Sequence, residues 1–182
     1  GKAMANGFAL SALVGKREIM ELGGIRKEGS ERVFLISTTH GSEMSSFGAF
    51  IKTIEVYKKL DVTNQLWTSG KKLITGMNEL AKQHGISDYF SVSGFACSPY
   101  YFTRDKKKNI SLDFRTLFSQ EMIKEGVLIP WISMSYAHQD AEINFTLNAA
   151  DKALAVYKKA LEEGTGKFLK GKSIKPVFRK YN

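Results

Sequence analysis

Short runs of β-branched and aromatic residues alternate with helix-length amphipathic stretches along this chain, and that alternation predicts an α/β fold. Two further observations bound it. With 182 residues the chain has room for one sizeable domain or two small ones. Hydrophobic residues make up 43% and charged residues 25%, the balance of an ordinary globular protein. No apolar run approaches the length of a bilayer span, and there is no internal repeat or low-complexity stretch.

Taken in order, the first fifteen residues place Lys2 among small residues. Ala3, Ala5 and Gly7 leave room beside it for something flat and bulky. Leu10 to Val14 reads as a buried strand, closed by Gly15 and Lys16-Arg17-Glu18. A lysine in such quarters can lose solvation, which favours the neutral amine that condenses with an aldehyde. By composition alone Lys2 is an ordinary solvated lysine. A short helix around Glu18 to Leu22 stops at Gly23-Gly24, and Arg32 to Ile36 reads as a strand.

Ser37-Thr38-Thr39-His40-Gly41-Ser42 then lies between a strand and a helix. Free backbone N–H groups at a helix start, with hydroxyls nearby, suit an anion. Capping by Ser42 or Thr39 explains the same residues without a ligand. His40 is a secondary acid/base candidate. Glu43 to Lys59 reads as a helix, with Phe47, Phe50, Ile51 and Ile54 as its apolar face.

Asp61 or Thr63 caps a second helix with the stripe Leu66, Gly70, Leu73, Met77 and Leu80, ended by His84-Gly85. Tyr89 to Ser93 and Tyr100 to Thr103 are strand-like, with Ser98-Pro99 breaking or bending the run. Tyr100 and Tyr101 are better explained by packing on a small sheet than by lining a substrate pocket. Ser111 caps a third helix, with Phe114, Leu117, Phe118 and Met122 inward and Gly126 at its end. Val127 to Ile129 and Ile132 to Tyr136 read as strands around Pro130-Trp131. The last helix opens near Ala137-His138, with the stripe Ile143, Leu147, Ala150, Leu154 and Leu161. In the basic tail, Phe178 and Tyr181 are expected to pack back on the body.

Charge and cysteine content narrow the function classes. The net charge of +9 raises the question of an acidic partner. The basic residues are scattered, however, and the densest run, Lys106-Lys107-Lys108, falls in a polar turn without a nucleic-acid motif. Solvated surface lysines are the simpler account, so neither nucleic acid nor membrane is expected as a partner. A non-enzymatic basic binding module is the alternative from another class, and it predicts binding that weakens steeply with salt. A single cysteine, Cys97, rules out an internal disulfide and fits a reducing compartment. No charged-then-apolar leader is visible, so a cytoplasmic location is expected. Three histidines and one cysteine lie far apart without ligand spacing, and no metal is expected.

Three segments together resemble one family. They are Gly1-Lys2-Ala3-Met4-Ala5-Asn6-Gly7-Phe8 with Ser11 to Met20, the Thr38-Thr39-His40-Gly41 loop, and Gly126-Val127 to Pro130 followed by Ala137-His138 to Ile143. The chain is similar to class III pyridoxal-phosphate-dependent aminotransferases, in the glutamate-1-semialdehyde 2,1-aminomutase-like subgroup, and to the C-terminal part of such chains. The resemblance implies a fold type I PLP-transferase: residues 1–60 as the end of the large domain, and 61–182 as a linker helix and the small C-terminal α+β domain. It gives Lys2 the catalytic role of forming the internal aldimine with pyridoxal 5'-phosphate. It gives Thr38, with Thr39 as the fallback, a contact to the cofactor phosphate of the neighbouring subunit in a homodimer with a shared active site. The family loop commonly continues Gly-Asn-Pro, where this chain has Gly41-Ser42-Glu43.

The implied reaction is amino transfer between a small-molecule amino donor and a keto or aldehyde acceptor. Intramolecular transfer, as in the aminomutase, is the alternative. The Thr-Thr-His-Gly loop and the Pro176 to Asn182 ending resemble a branch acting in sugar or surface-polysaccharide metabolism. The phosphate loop, ring-stacking aromatic and pyridine-nitrogen aspartate of the family are expected in a preceding N-terminal part of the same enzyme.

Overall fold

The long helices and the two strand segments on either side of Ser98-Pro99 expected from the sequence are present in the computed structural model, which describes residues 1–23, 29, 31, 41 and 43–176. These fall into two units, Gly1–Val62 and Thr63–Asn182.

In the first unit, α1 (Arg17–Met20) runs into a single 3₁₀ turn, Glu21–Gly23, and α2 spans Met44–Lys59. Lys58 and Lys59 in the last turn of α2 suit the negative end of its dipole. The expected strand at Leu10 to Val14 is irregular, and it is exposed from Ser11 onward. A strand needs a neighbour for its N–H and C=O groups, and the described residues of this unit contain none. The other expected strand, Arg32 to Ile36, lies outside the described residues. The apolar face expected of α2 is also open. Phe47, Ile51 and Ile54 are exposed, while Ser46 is buried and donates to the Glu43 carboxylate at 3.2 Å. The described residues of this unit do not supply the cover.

The second unit is built on two long helices. α3 (Val62–Gln83) begins directly after Asp61 and buries Leu73 and Met77 of its predicted stripe. At Gly85, φ is +71°, and the Ile86 N–H returns to the Ala81 carbonyl at 2.9 Å, which is why a glycine follows this helix. Gly70 has a packing reason: a Cβ there would stand 1.7 Å from the Ala96 carbonyl oxygen, so helix and hairpin turn meet only over a glycine.

β1 (Phe90–Phe95) and β2 (Ser98–Thr103) form an antiparallel hairpin, with Val92 opposite Tyr101 and Gly94 opposite Pro99. Pro99 therefore sits inside β2 and does not break it. The pair closing the Ala96-Cys97 turn is Phe95–Ser98. Alternation along the ladder makes the next pair, with Pro99, one that exchanges no hydrogen bonds, so the missing N–H costs nothing. On the outer edge of β1, the Asn78 amide donates to the Val92 carbonyl (2.8 Å) and accepts from its N–H (2.9 Å), doing the work of a third strand.

α4 (Leu112–Lys124) is capped as expected, the Ser111 hydroxyl accepting from the Phe114 N–H at 3.3 Å. α5 (Asp140–Glu163) starts in a capping box between Gln139 and Glu142. Its buried face comprises Ile143, Ala149, Ala150, Ala153, Leu154, Tyr157 and Ala160, with Leu147 and Leu161 only partly buried. Small alanines let α5 approach α4 closely, and the rings of Phe114 and Tyr157 come within 4.6 Å. Phe90 packs on Phe118 at 4.8 Å in the same core.

The two expected strands Val127 to Ile129 and Ile132 to Tyr136 are not strands. Ladder bonds are replaced by side chains. The Tyr101 hydroxyl donates to the Ile129 carbonyl (2.9 Å), and the Arg115 guanidinium donates to the Pro130 carbonyl (2.6 Å). Pro130 cannot join a ladder, and these longer-range donors satisfy the span instead. Phe178 and Tyr181 lie outside the described residues.

The buried Tyr157 phenol accepts from the Arg104 N–H (2.9 Å) and faces the carbonyls of Arg104 (2.7 Å) and Tyr89 (3.0 Å). Burial raises its pKa above the ordinary phenol value. A raised folded-state value means that its contribution is complete below the unfolded value, near pH 10, and is lost as pH rises beyond it. Tyr157→Phe is expected to cost about 1–3 kcal/mol at neutral pH by urea unfolding. Above about pH 10 the wild type should lose stability faster than the variant, by up to roughly 1.4 kcal/mol per pH unit. Parallel pH profiles would contradict this role.

Candidate functional site

Lys2 lies in a run of turns over residues 2–7 and is exposed. The turn is local in origin. Asn6 (φ +46°) and Gly7 (φ +121°) reverse the chain, the Phe8 N–H reaches the Ala5 carbonyl at 3.3 Å, and the Gly1 nitrogen bonds to the Leu10 carbonyl. Asparagine and glycine are the residues that take positive φ at least cost. Ala5 is 2% exposed and, with Asn6, lines a groove of about 330 Å³ completed by Ala49, Lys52, Thr53, Val56 and Tyr57 of α2. Ala5 therefore anchors the turn, while Lys2, Ala3 and Gly7 are exposed.

Lys2 makes no hydrogen bond or ion pair with another described residue. Lys52, on the groove wall, differs: its ammonium is paired with Glu55 at 2.9 Å. Thr38, Thr39 and His40 lie outside the described residues. Lys2 is exposed, so the loss of solvation expected from its small neighbours is not supplied by the described residues.

Elsewhere, Tyr101 is buried under the hairpin and Tyr100 is exposed on its outer face, packed edge-on against Phe102 at 5.0 Å. His138 stands two residues ahead of α5, where its Nδ1 accepts from the Ser135 N–H at 3.1 Å. Lys106 to Lys108 form an exposed turn, and Lys108 pairs with Asp88 at 2.7 Å. That pairing holds the Asp88 carboxyl below its usual pKa. Among the described residues no group of His, Cys, Asp and Glu could hold a metal ion, and no helix is long and apolar enough to cross a membrane.

No family model matches the chain. It is 29% identical over 164 residues to a 3-aminobutyryl-CoA aminotransferase of Cloacimonas acidaminovorans, covering 88% of this chain and 37% of that protein. It is 31% identical over 178 residues to a glutamate-1-semialdehyde 2,1-aminomutase of Nitrosopumilus maritimus, covering 86% and 39%. These matches support a likeness to the class III pyridoxal-phosphate-dependent aminotransferases. It resembles the C-terminal region of these aminotransferases and spans between 37% and 39% of the length of those two relatives. The structure of the PLP internal aldimine form of Sphingopyxis sp. MTA144 FumI protein shares the fold, with a TM-score of 0.68 and 23% identity over 87% of this chain and 36% of that one. Neither curated relative is named as a sugar enzyme.

Sequence reasoning missed one feature of the second unit. Tyr101 and Arg115 act as a clamp on Val127 to Met134, with the Arg115 guanidinium 4.3 Å from the centre of the Tyr101 ring. The available signal was the Pro130-Trp131 pair, which argues against a ladder there. Arg115→Met should loosen this span. Amide hydrogen exchange over residues 127–134 is expected to speed up by the loss of about 1.5–3 kcal/mol of local stability, with the Phe90–Thr103 hairpin little changed. Unchanged exchange in the span would contradict the clamp.

Proposed function

We propose that the protein moves amino groups with pyridoxal 5'-phosphate held covalently on Lys2. The reading is carried by the exposed Lys2 amine, which is free of any charge partner among the described residues and stands in the segment that resembles the family's lysine segment. Lys2 would hold the cofactor through its amine, and Thr38, or Thr39 in its place, would hold the phosphate. When bound, the cofactor supplies an electron sink for charge developing at the amino-bearing carbon. Lys2 has two tasks. It keeps the cofactor in place, and once its amine is freed it takes and returns the proton at the substrate carbon.

The substrates in this reading are a small-molecule amino donor and a keto or aldehyde acceptor. Intramolecular amino exchange is the second reading, favoured by the similarity to an aminomutase of Nitrosopumilus maritimus. Both reactions use Lys2 in the same way. The first unit is then the end of a cofactor-binding large domain, and the second is the small domain. The remaining pocket walls come from polypeptide equivalent to the part of the relatives that this chain does not span, and Thr38 reaches the phosphate of a second subunit in a homodimer.

The test is a visible absorbance spectrum of the natural gene product supplied with pyridoxal phosphate. A band that shifts on adding an amino donor is expected in the wild type and absent in Lys2→Ala. Since Lys2 is exposed, the variant should keep its stability within about 0.5 kcal/mol. A band and turnover that persist in the variant would sink the proposal.

A further inference from the structure

The clamp on Val127 to Met134 shapes a cleft that the proposed cofactor chemistry does not use. Its volume is about 290 Å³, and its walls include Leu73, Ile129, Ile132, Met134 and Ile143. That is the small end of ligand pockets, and an apolar lining with a few polar groups is their usual character. The wall is fixed by the Tyr101 and Arg115 bonds to the Ile129 and Pro130 carbonyls. Trp131 beside it is 69% exposed, which leaves a flat apolar surface in solvent.

Four polar side chains line the cleft, Ser133, His138, Glu142 and Thr146, and the bonding of His138 and Glu142 sets what these two can offer. His138 Nδ1 accepts from the Ser135 N–H, so in the neutral ring the proton sits on Nε2 and makes that atom a donor. Glu142 has one carboxylate oxygen on the Gln139 N–H at 3.1 Å, and its other oxygen is an acceptor. The Thr146 hydroxyl, also on the wall, donates its proton to the Glu142 carbonyl at 2.8 Å and can act toward the cleft only as an acceptor. A donor and an acceptor beside an apolar cavity match a carboxamide, whose C=O accepts and whose N–H donates. A carboxylate would meet the Glu142 charge, and an ammonium would leave the His138 donor without a partner.

We propose that this cleft binds a small uncharged molecule carrying a primary amide on a flat apolar body. Nothing in the proposal depends on the cofactor reading. The test is a titration of the ¹⁵N-labelled protein with benzamide, benzoate and benzylammonium, three probes of matched shape. Benzamide is expected to give saturable shifts over residues 127–134 and 142–146 and to bind at least tenfold more tightly than either ion. Glu142→Gln keeps an acceptor for the Gln139 N–H and should narrow the gap between benzamide and benzoate at least threefold. His138→Phe should weaken benzamide at least fivefold. Absence of shifts with benzamide, equal shifts with all three probes, or tightest binding of benzylammonium would each overturn the proposal.

Discussion

Everything in the second unit is referred to the Tyr157 phenol. It comes from α5, yet its three polar contacts go to the backbone at the open end of the hairpin, at Tyr89 and at Arg104. A two-stranded sheet alone is marginal in water. This one is kept by the phenol at its open end, by the Asn78 amide along one edge, and by Phe90 and Phe118 beneath it. The Tyr101 ring, thus fixed, lends its hydroxyl to Ile129. The order of dependence runs from α5 to the hairpin, then to Tyr101, and from there to the irregular span that walls the cleft.

Local rules made the helices legible. Ser111 with Phe114, Gly85 and Gly126 are caps that act within a turn or two of the chain, and the structure uses each of them as a cap. The hairpin was legible in its strands and misread at Pro99, because whether a proline is tolerated depends on its place in the ladder. Val127 to Tyr136 was misread for a related reason. Apolar alternation marks a segment as buried and extended, but it cannot say whether the backbone partners will be a strand or the side chains of Tyr101 and Arg115. Tyr157 was invisible because its value lies in contacts with Tyr89 and Arg104, far away in sequence.

In the first unit, the sequence placed Lys2 among small residues with room beside it, whereas the structure puts Lys2 on a turn in which Ala5 is buried. The direction of the Lys2 side chain was not legible. Small neighbours suggested enclosure, whereas Asn6 and Gly7 turn the chain so that the amine faces outward. The open apolar face of α2 belongs to the same pattern: the periodicity marked the residues that want cover, and the described residues of this unit do not supply it. The chain matches between 37% and 39% of the length of two relatives. Amino-group chemistry on Lys2 would then draw on pocket walls from polypeptide beyond the matched part.

The central claim is the covalent role of one lysine among many. The most direct measurement is peptide mass mapping after borohydride reduction of the natural gene product loaded with pyridoxal phosphate. The account predicts a single pyridoxyl adduct, on the peptide containing Lys2. An adduct on Lys52 or another lysine with Lys2 unmodified, or no adduct on any lysine, would contradict it.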